Sequence, residues 1–246
     1  MTGMHFLEAA APDGMRLYAI GDVHGRLDLL RAMHGRIRAE LMRDKPADWR
    51  IVHLGDYVDR GPDASGVLAF LAERIAQDPR VVALAGNHDV NFRAFLDQGD
   101  TTGLFSRFGG IDTARSYGVK ADFSNPAAAE KSRAALAAVV PSAHKTFIEG
   151  MSRSISFGDF FFCHAGIRPG VALADQDPHD LIWIREPFLN HAGLHEKVVV
   201  HGHTPQSEAE IMANRVNVDT FAYASGRLTA FVVEGREKRL LQAGAD

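Results

Sequence analysis

Three β-rich runs in the first hundred residues stop at the same punctuation, a glycine followed by a carboxylate or amide. Residues 16–20 end at Gly21-Asp22, residues 51–54 at Gly55-Asp56, and residues 81–84 at Gly86-Asn87. Helical patterns follow the first two. Residues 27–41 carry Leu27, Leu30, Met33, Ile37 and Leu41 at helical spacing, and residues 64–75 form a second such segment. Three successive βα units predict a layered α/β core. In open α/β sheets the ligand site lies beyond the carboxyl ends of the strands, so these polar residues are expected to converge on one place.

The second half changes character. Residues 154–163 read as a strand or a hairpin, with Gly158-Asp159 as the candidate turn, and residues 198–200, 215–218 and 228–233 as further strands. Two of these later strands end near His164 and His203. Residues 97–150 are richer in helix formers and read as a helical insertion packed on the core, within a single domain spanning 1–246. No internal repeat is visible.

At 246 residues the chain is long enough to bury a sizeable core. A hydrophobic share of 46% with 24% charged residues excludes disordered and fibrous classes. The net charge of -4 argues against a general nucleic-acid footprint. The one cysteine, Cys163, excludes an intramolecular disulfide framework and suits a reducing cytosol; it should point into the core and be inert. No secretory signal or membrane-spanning run is visible, so no membrane partner and a cytoplasmic location are expected.

The chemistry lies in five groups: Asp22-Val23-His24, Asp56-Tyr57-Val58-Asp59-Arg60, Asn87-His88-Asp89, His164 and His203. Asp22 and His24 are two apart, so on an extended segment both would face the same way. Together they could grip one divalent ion. Asp56, with two oxygens, could bridge two ions, and Asn87, His164 and His203 could serve the second. Asp22 and Asp56 leave two divalent cations a positive surplus, which a phosphate dianion would neutralise. Mixed oxygen and imidazole donors suit Mn, Fe or Zn better than Ca or Mg. A lone Asp-x-His is ordinarily a solvated turn; the full set at successive strand ends is the specific signal.

At these residues the chain resembles the calcineurin-like metallophosphoesterases, in particular the phosphoprotein phosphatase group with its bacterial and phage members. The patterns GDxHG, GDxxDRG and GNH[ED] match at Gly21–Gly25, Gly55–Gly61 and Gly86–Asp89, and later histidine blocks match at His164 and His203. The resemblance implies a four-layer αββα sandwich of two mixed sheets flanked by helices. It assigns Asp22, His24 and Asp56 to a first metal and Asp56, Asn87, His164 and His203 to a second. His88 would be the general acid, Asp59 would orient it, and Arg60 and Arg185 would grip phosphate oxygens. The lesser readings are a surface ion pair for Arg60, a turn cap for Asp59 and a structural role for Arg185, the last resting on only a short local similarity. Gly109-Gly110 and Ser116-Tyr117-Gly118 are also similar to a stretch in bacterial members.

The chain departs from the pattern at four places. Ala85 stands where an Arg usually precedes Gly-Asn-His, Asp89 replaces Glu, Pro205 replaces a second His, and Phe221 replaces a Gly. Pro205 matches the phosphatase branch and implies fewer protein ligands on the first metal. His201 is out of ligand register and reads as a packed strand residue. His34, His144, His179, His191 and His195, outside any motif, are expected to be solvated.

The expected reaction is in-line attack by a metal-bound hydroxide, with two divalent ions, Mn²⁺ first, on a phosphorylated protein or small phosphoester. A serine/threonine-type phosphatase with broad phosphomonoesterase activity is the leading reading. Gly86–Asp89 and residues 164–167 also resemble diadenosine tetraphosphate hydrolases, which tend to lack the Asp matching Asp59. A non-catalytic metal-holding regulator would be expected to have lost a donor or His88, and none is missing.

Overall fold

In a computed structural model, which describes residues 3–99 and 103–244, the chain builds two five-stranded mixed sheets. In chain order the first half comprises β1 (Met15–Ile20), α1 (Leu27–Asp44), β2 (Asp48–His53), α2 (Ala64–Gln77), β3 (Val81–Ala83) and α3 (Asn87–Gln98). Four helices follow: α4 (Leu104–Arg107), α5 (Gly110–Ser116), α6 (Pro126–Val139) and α7 (Ser142–Glu149). The second half contains β4 (Ser154–Phe157), β5 (Phe160–Cys163), α8 (Asp180–Trp183), β6 (Val198–His201), β7 (Glu210–Ile211) and β8 (Arg215–Asn217). It closes with α9 (Ala222–Ser225), β9 (Arg227–Glu234) and β10 (Glu237–Gly244).

The first sheet runs β10-β9-β1-β2-β3 and the second β4-β5-β6-β8-β7. β1 pairs in parallel with β2 (Ala19 opposite Val52) and antiparallel with β9 (Tyr18 opposite Val232). β5, β6 and β8 are parallel, with hairpin partners at both edges.

Alternation along the strands explains the layering. Leu17, Ala19, Val52 and Phe231 point inward to meet Phe160, Phe162, Val198 and Val200 of the facing sheet. Their neighbours Tyr18, Ile20, Ile51 and Val232 point the other way, onto Leu30, Met33 and Ile37 of α1 and Val67, Leu68 and Leu71 of α2. The outer face of the second sheet, with Phe161, Cys163 and Val199, is covered by Ile167, Leu181, Ile184 and Phe188 from α8 and the loops beside it. This last layer is thin, since its helix is a single turn.

Local signals agree with these boundaries. Asp63 caps α2 by accepting from Gly66 N at 2.8 Å, and Asn125 caps α6, whose first residue is Pro126. Two strands lay outside the sequence reading. β7 is only two residues long, and β10 opens with Glu237-Lys238-Arg239, charges that suit a sheet edge and hide its pattern. Among the described residues no helix is long and apolar enough to cross a membrane.

Candidate metal centre

The carboxyl ends of β1, β2, β3, β5 and β6 meet along one edge of the sandwich and bring the five donor groups together. Asp56, in the turn after β2, is central. Its Oδ2 lies 3.5 Å from His24 Nε2 and 4.0 Å from His88 Nε2, and its Oδ1 3.4 Å from His164 Nε2. Asn87, the first residue of α3, turns Oδ1 to 3.0 Å from His164 Nε2 and 3.1 Å from His203 Nδ1. Two donor groups result, His24 with Asp56 and His88, and Asp56 with His164 and His203. Asp56 belongs to both, and within each group the ligand atoms lie within 4.8 Å of one another.

Asp22 falls in neither of these two groups. Both of its oxygens accept from His203 N at 3.2 Å, against the second group. The segment is not extended as expected, because His24 has a left-handed backbone (φ 42), which re-aims its ring. Both residues are nonetheless buried at the site.

Left-handed backbone clusters here. Among the described residues seven non-glycine positions have positive φ, and five are His24, Asp56, Asp59, Arg60 and His203. Such conformations cost of order 1–3 kcal/mol each and persist only where surrounding contacts hold them. Asp89 supplies one such hold: its carboxylate accepts from Asp56 N, Tyr57 N and Gly86 N at 2.8, 2.9 and 3.0 Å. Close backbone approach supplies another. A methyl group on Gly86 would lie 2.1 Å from Asp56 Oδ1, and one on Gly202 2.1 Å from Asp22 Oδ1.

The donor chemistry fits divalent cations. His24 Nδ1–H donates to Val58 O at 2.7 Å and His164 Nδ1–H to Leu54 O at 3.0 Å, so each Nε2 lone pair faces the cluster. Backbone carbonyls orient metal-binding imidazoles in this way. Asp22, Asp56, Asp59, Asp89 and Asp219 are all buried around the same point. Burial, then the charge of Asp219, raises Asp22 well above the carboxylate range. Burial would also raise Asp56, but His164 and His88 outweigh it and hold it low. At His164 burial is overcome by Asp56 and Asp22, which lift the imidazole to about 9. The cluster therefore attracts positive charge.

His88 and Arg60 stand beside the donors. His88 Nδ1–H donates to Asp59 Oδ2 at 2.6 Å, and Thr113 of α5 donates to Asp59 Oδ1 at 2.8 Å while accepting from Asp59 N. Burial works to lower the His88 imidazole, yet Asp56 and the Asp59 bond raise it. The Arg60 fork donates to His24 Nε2 and His88 Nε2, each at 3.0 Å. Gly109 lies against Arg60 so closely that a methyl there would sit 2.4 Å from Arg60 N. Arg185 is exposed, but its charge is felt at His203, whose imidazole burial and His164 already hold near 2. Trp183 brings its ring 6.2 Å from that of His203.

Three contributors were not singled out from sequence. Asp219 follows β8 as Asp22 follows β1, so the strand-end rule could have found it. Thr113 carried no local signal. Tyr223 places its ring 5.0 Å from the Arg60 guanidinium and 5.4 Å from the His24 ring, and packs on Phe221, itself left-handed (φ 63).

Several histidines expected in solvent are not there. His34 Nε2 meets His53 Nε2 at 3.1 Å, His144 accepts from Tyr117 at 2.7 Å, and His195 stacks on Phe188. Each packs against an aromatic ring, and the amphipathic imidazole is suited to both. His201 is fully buried, and burial holds the Cys163 thiol protonated.

A family model for calcineurin-like phosphoesterases matches residues 15–233. The chain belongs to this family. As a calcineurin-like phosphoesterase it is a hydrolase acting on phosphoric esters. It is 24% identical to an asymmetrical bis(5'-nucleosyl)-tetraphosphatase, PrpE, of Anoxybacillus flavithermus, over 86% of this chain and 87% of the relative. A shorter match, 33% over 79 residues, covers 32% of this chain and 32% of a serine/threonine-protein phosphatase 1 of Salmonella typhimurium. A solved structure with a provisional diadenosine tetraphosphatase assignment superposes with a TM-score of 0.66 over 97% of this chain and all of its own. At 18% identity it speaks to the fold alone.

Proposed function

We propose that this phosphoesterase is a metal-dependent phosphomonoesterase of the serine/threonine protein phosphatase type, with Mn²⁺ as the working ion. The observation that carries the reading is the Asp59–His88 bond of 2.6 Å with the Arg60 fork spanning His88 and His24. Asp22, His24, Asp56, Asn87, His164 and His203 would hold the cations. When bound, the cations would supply Lewis-acid polarisation of the phosphoryl group and activation of the attacking water. Arg60 would leave the two imidazoles for the phosphate oxygens, which match its fork better. Arg185, exposed at the rim, would meet the same phosphate. His88, its Nδ1 fixed on Asp59, would then present a protonated Nε2 to the leaving alkoxide. That proton matters because an alkoxide leaves poorly without it. A cytoplasmic location accords with the single, buried cysteine.

A second reading, hydrolysis of dinucleoside tetraphosphates, is favoured by a relative that matches over most of its length. Turnover of a phosphoserine peptide, p-nitrophenyl phosphate and diadenosine tetraphosphate in Mn²⁺ separates the two. Preference for the monoesters is expected; far faster cleavage of the dinucleotide would overturn the phosphatase reading. Activity that survives chelation would remove the metal-dependent reading altogether.

A further inference from the structure

On the helical side of the first sheet, α1 and α2 part over β2 and leave a cavity of about 480 Å³. None of its lining residues belongs to the metal centre. The floor is apolar and partly aromatic: Ile37, Leu41, Trp49, Ile51, Phe70 and Val81. The rim is cationic. Arg31 and Arg38, seven residues apart on α1, stand on one side, and Arg74 of α2 on the other. Both α1 arginines are exposed, and neither has a hydrogen-bond or ion-pair partner among the described residues. Arg74 lies over the Phe70 ring at 5.4 Å from its centroid and reaches Glu73 at 3.7 Å, while its Nε is buried without a hydrogen-bond partner. The single carboxylate of the lining, Asp78, is already held by Arg80 at 2.7 and 2.9 Å. Gly35, between the two α1 arginines, leaves open space: a methyl there would meet nothing within 4 Å.

We propose that this cavity is a second ligand site, for a mononucleotide-like anion. Its volume is that of a small-molecule site, where an apolar lining with few convergent polar groups is the rule. Arg80 lies over the Trp49 ring at 4.1 Å from its centroid, so a flat heteroaromatic ring would lie on the floor against the cavity-lining surfaces of Trp49 and Phe70, and the phosphates would meet the three guanidinium groups. Guanidinium forks match phosphate oxygens in pairs. A neutral ring would leave these cations uncompensated, and inorganic phosphate alone would leave the apolar lining of Ile37, Leu41, Ile51 and Val81 unused. The site is independent of the reaction assigned to the metal centre.

The chain has two tryptophans, so Trp183→Phe makes Trp49 the sole indole and its emission a direct reporter. The probe is adenosine 5'-(α,β-methylene)diphosphate, added to the metal-loaded protein, with Trp49 reporting on the cavity it lines and not on the catalytic centre. Saturable quenching is expected, weakened about tenfold or more both by Gly35→Phe, which fills the cavity, and by Arg31→Ala with Arg38→Ala, which strips the rim. Gly35→Phe should keep p-nitrophenyl phosphate turnover, showing that it folds; the double arginine variant provides a test that does not crowd the cavity. Adenosine should bind much more weakly than the diphosphate. Absence of saturable quenching to about 5 mM, a signal unchanged in both variants, or equal binding of adenosine would each overturn the proposal.

Discussion

His88 is held at one ring nitrogen and offered at the other. Its Nδ1–H is committed to Asp59, which Thr113 fixes in turn, so only Nε2 can serve a leaving group. His88→Asn should therefore lower kcat for phosphoserine peptides by about 10²–10⁴, the usual value of general acid catalysis. The loss on p-nitrophenyl phosphate should be much smaller, because an activated phenolate needs little protonation. Bound metal, measured by elemental analysis, should change little; equal losses on both esters would count against the acid role. Gly202 offers a complementary test of the backbone. Its Cβ position lies 2.1 Å from Asp22 Oδ1 and its φ is not left-handed, so Gly202→Ala would displace a carboxylate while leaving the chain path permitted. Metal affinity should fall, with far-ultraviolet dichroism unchanged. Unaltered affinity would mean that Asp22 is not needed as a ligand.

At the scale of elements, α1 is tied to β2 by two imidazoles. His34 and His53 stack at 5.1 Å with their Nε2 atoms 3.1 Å apart, and Phe70 of α2 closes the cluster edge-on. Burial, then Arg74, pushes His34 down to about 4, and burial with His34 as neighbour holds His53 well below its ordinary value. Both folded values lie below the unfolded value of roughly 6.5, so the unfolded chain binds more protons as the solution is acidified. This contribution to stability is complete above about pH 6.5 and drains away as pH falls toward 4. Urea midpoints should drop over that window, and His34→Gln should flatten the slope. An identical slope in the variant would exclude the pair as its source. Such a pair was invisible in sequence, because His34 sits at a helical position that faces the sheet only after α1 docks. Elements with a strong period were legible: residues 27–41 and 64–75 fall within α1 and α2. β10 was not, since its charged opening masks an edge strand whose inner partner β9 supplies the pairing.

For the whole molecule, the rule that ligand sites lie beyond the carboxyl ends of strands anticipates the gathering of five chain segments along one edge of the sandwich. The gathering is legible because glycine before each Asp or Asn is a backbone requirement, set by close approach at Gly21 and Gly86 and by a left-handed φ at Gly55. The supports were out of reach for the opposite reason. Thr113 and Tyr223 act through contacts made more than fifty residues away in sequence, which no local pattern encodes. The same assembly gathers five buried carboxylates, and the folded state carries that repulsion unless cations offset it. Divalent ions that bind only the folded chain add stability as RT ln(1 + [L]/Kd), about 2.7 kcal/mol at 100 times Kd. For a domain of this size about 2–4 °C per kcal/mol applies, so saturating Mn²⁺ should raise Tm by about 5–11 °C. The rise should shrink as pH falls, since protons compete for the same carboxylates and imidazoles. Asp56→Asn, which removes the one side chain shared by both donor groups, should abolish most of it. A calorimetric scan in which Mn²⁺, Fe²⁺ and Zn²⁺ all leave Tm unmoved would mean that these donors are not a metal centre.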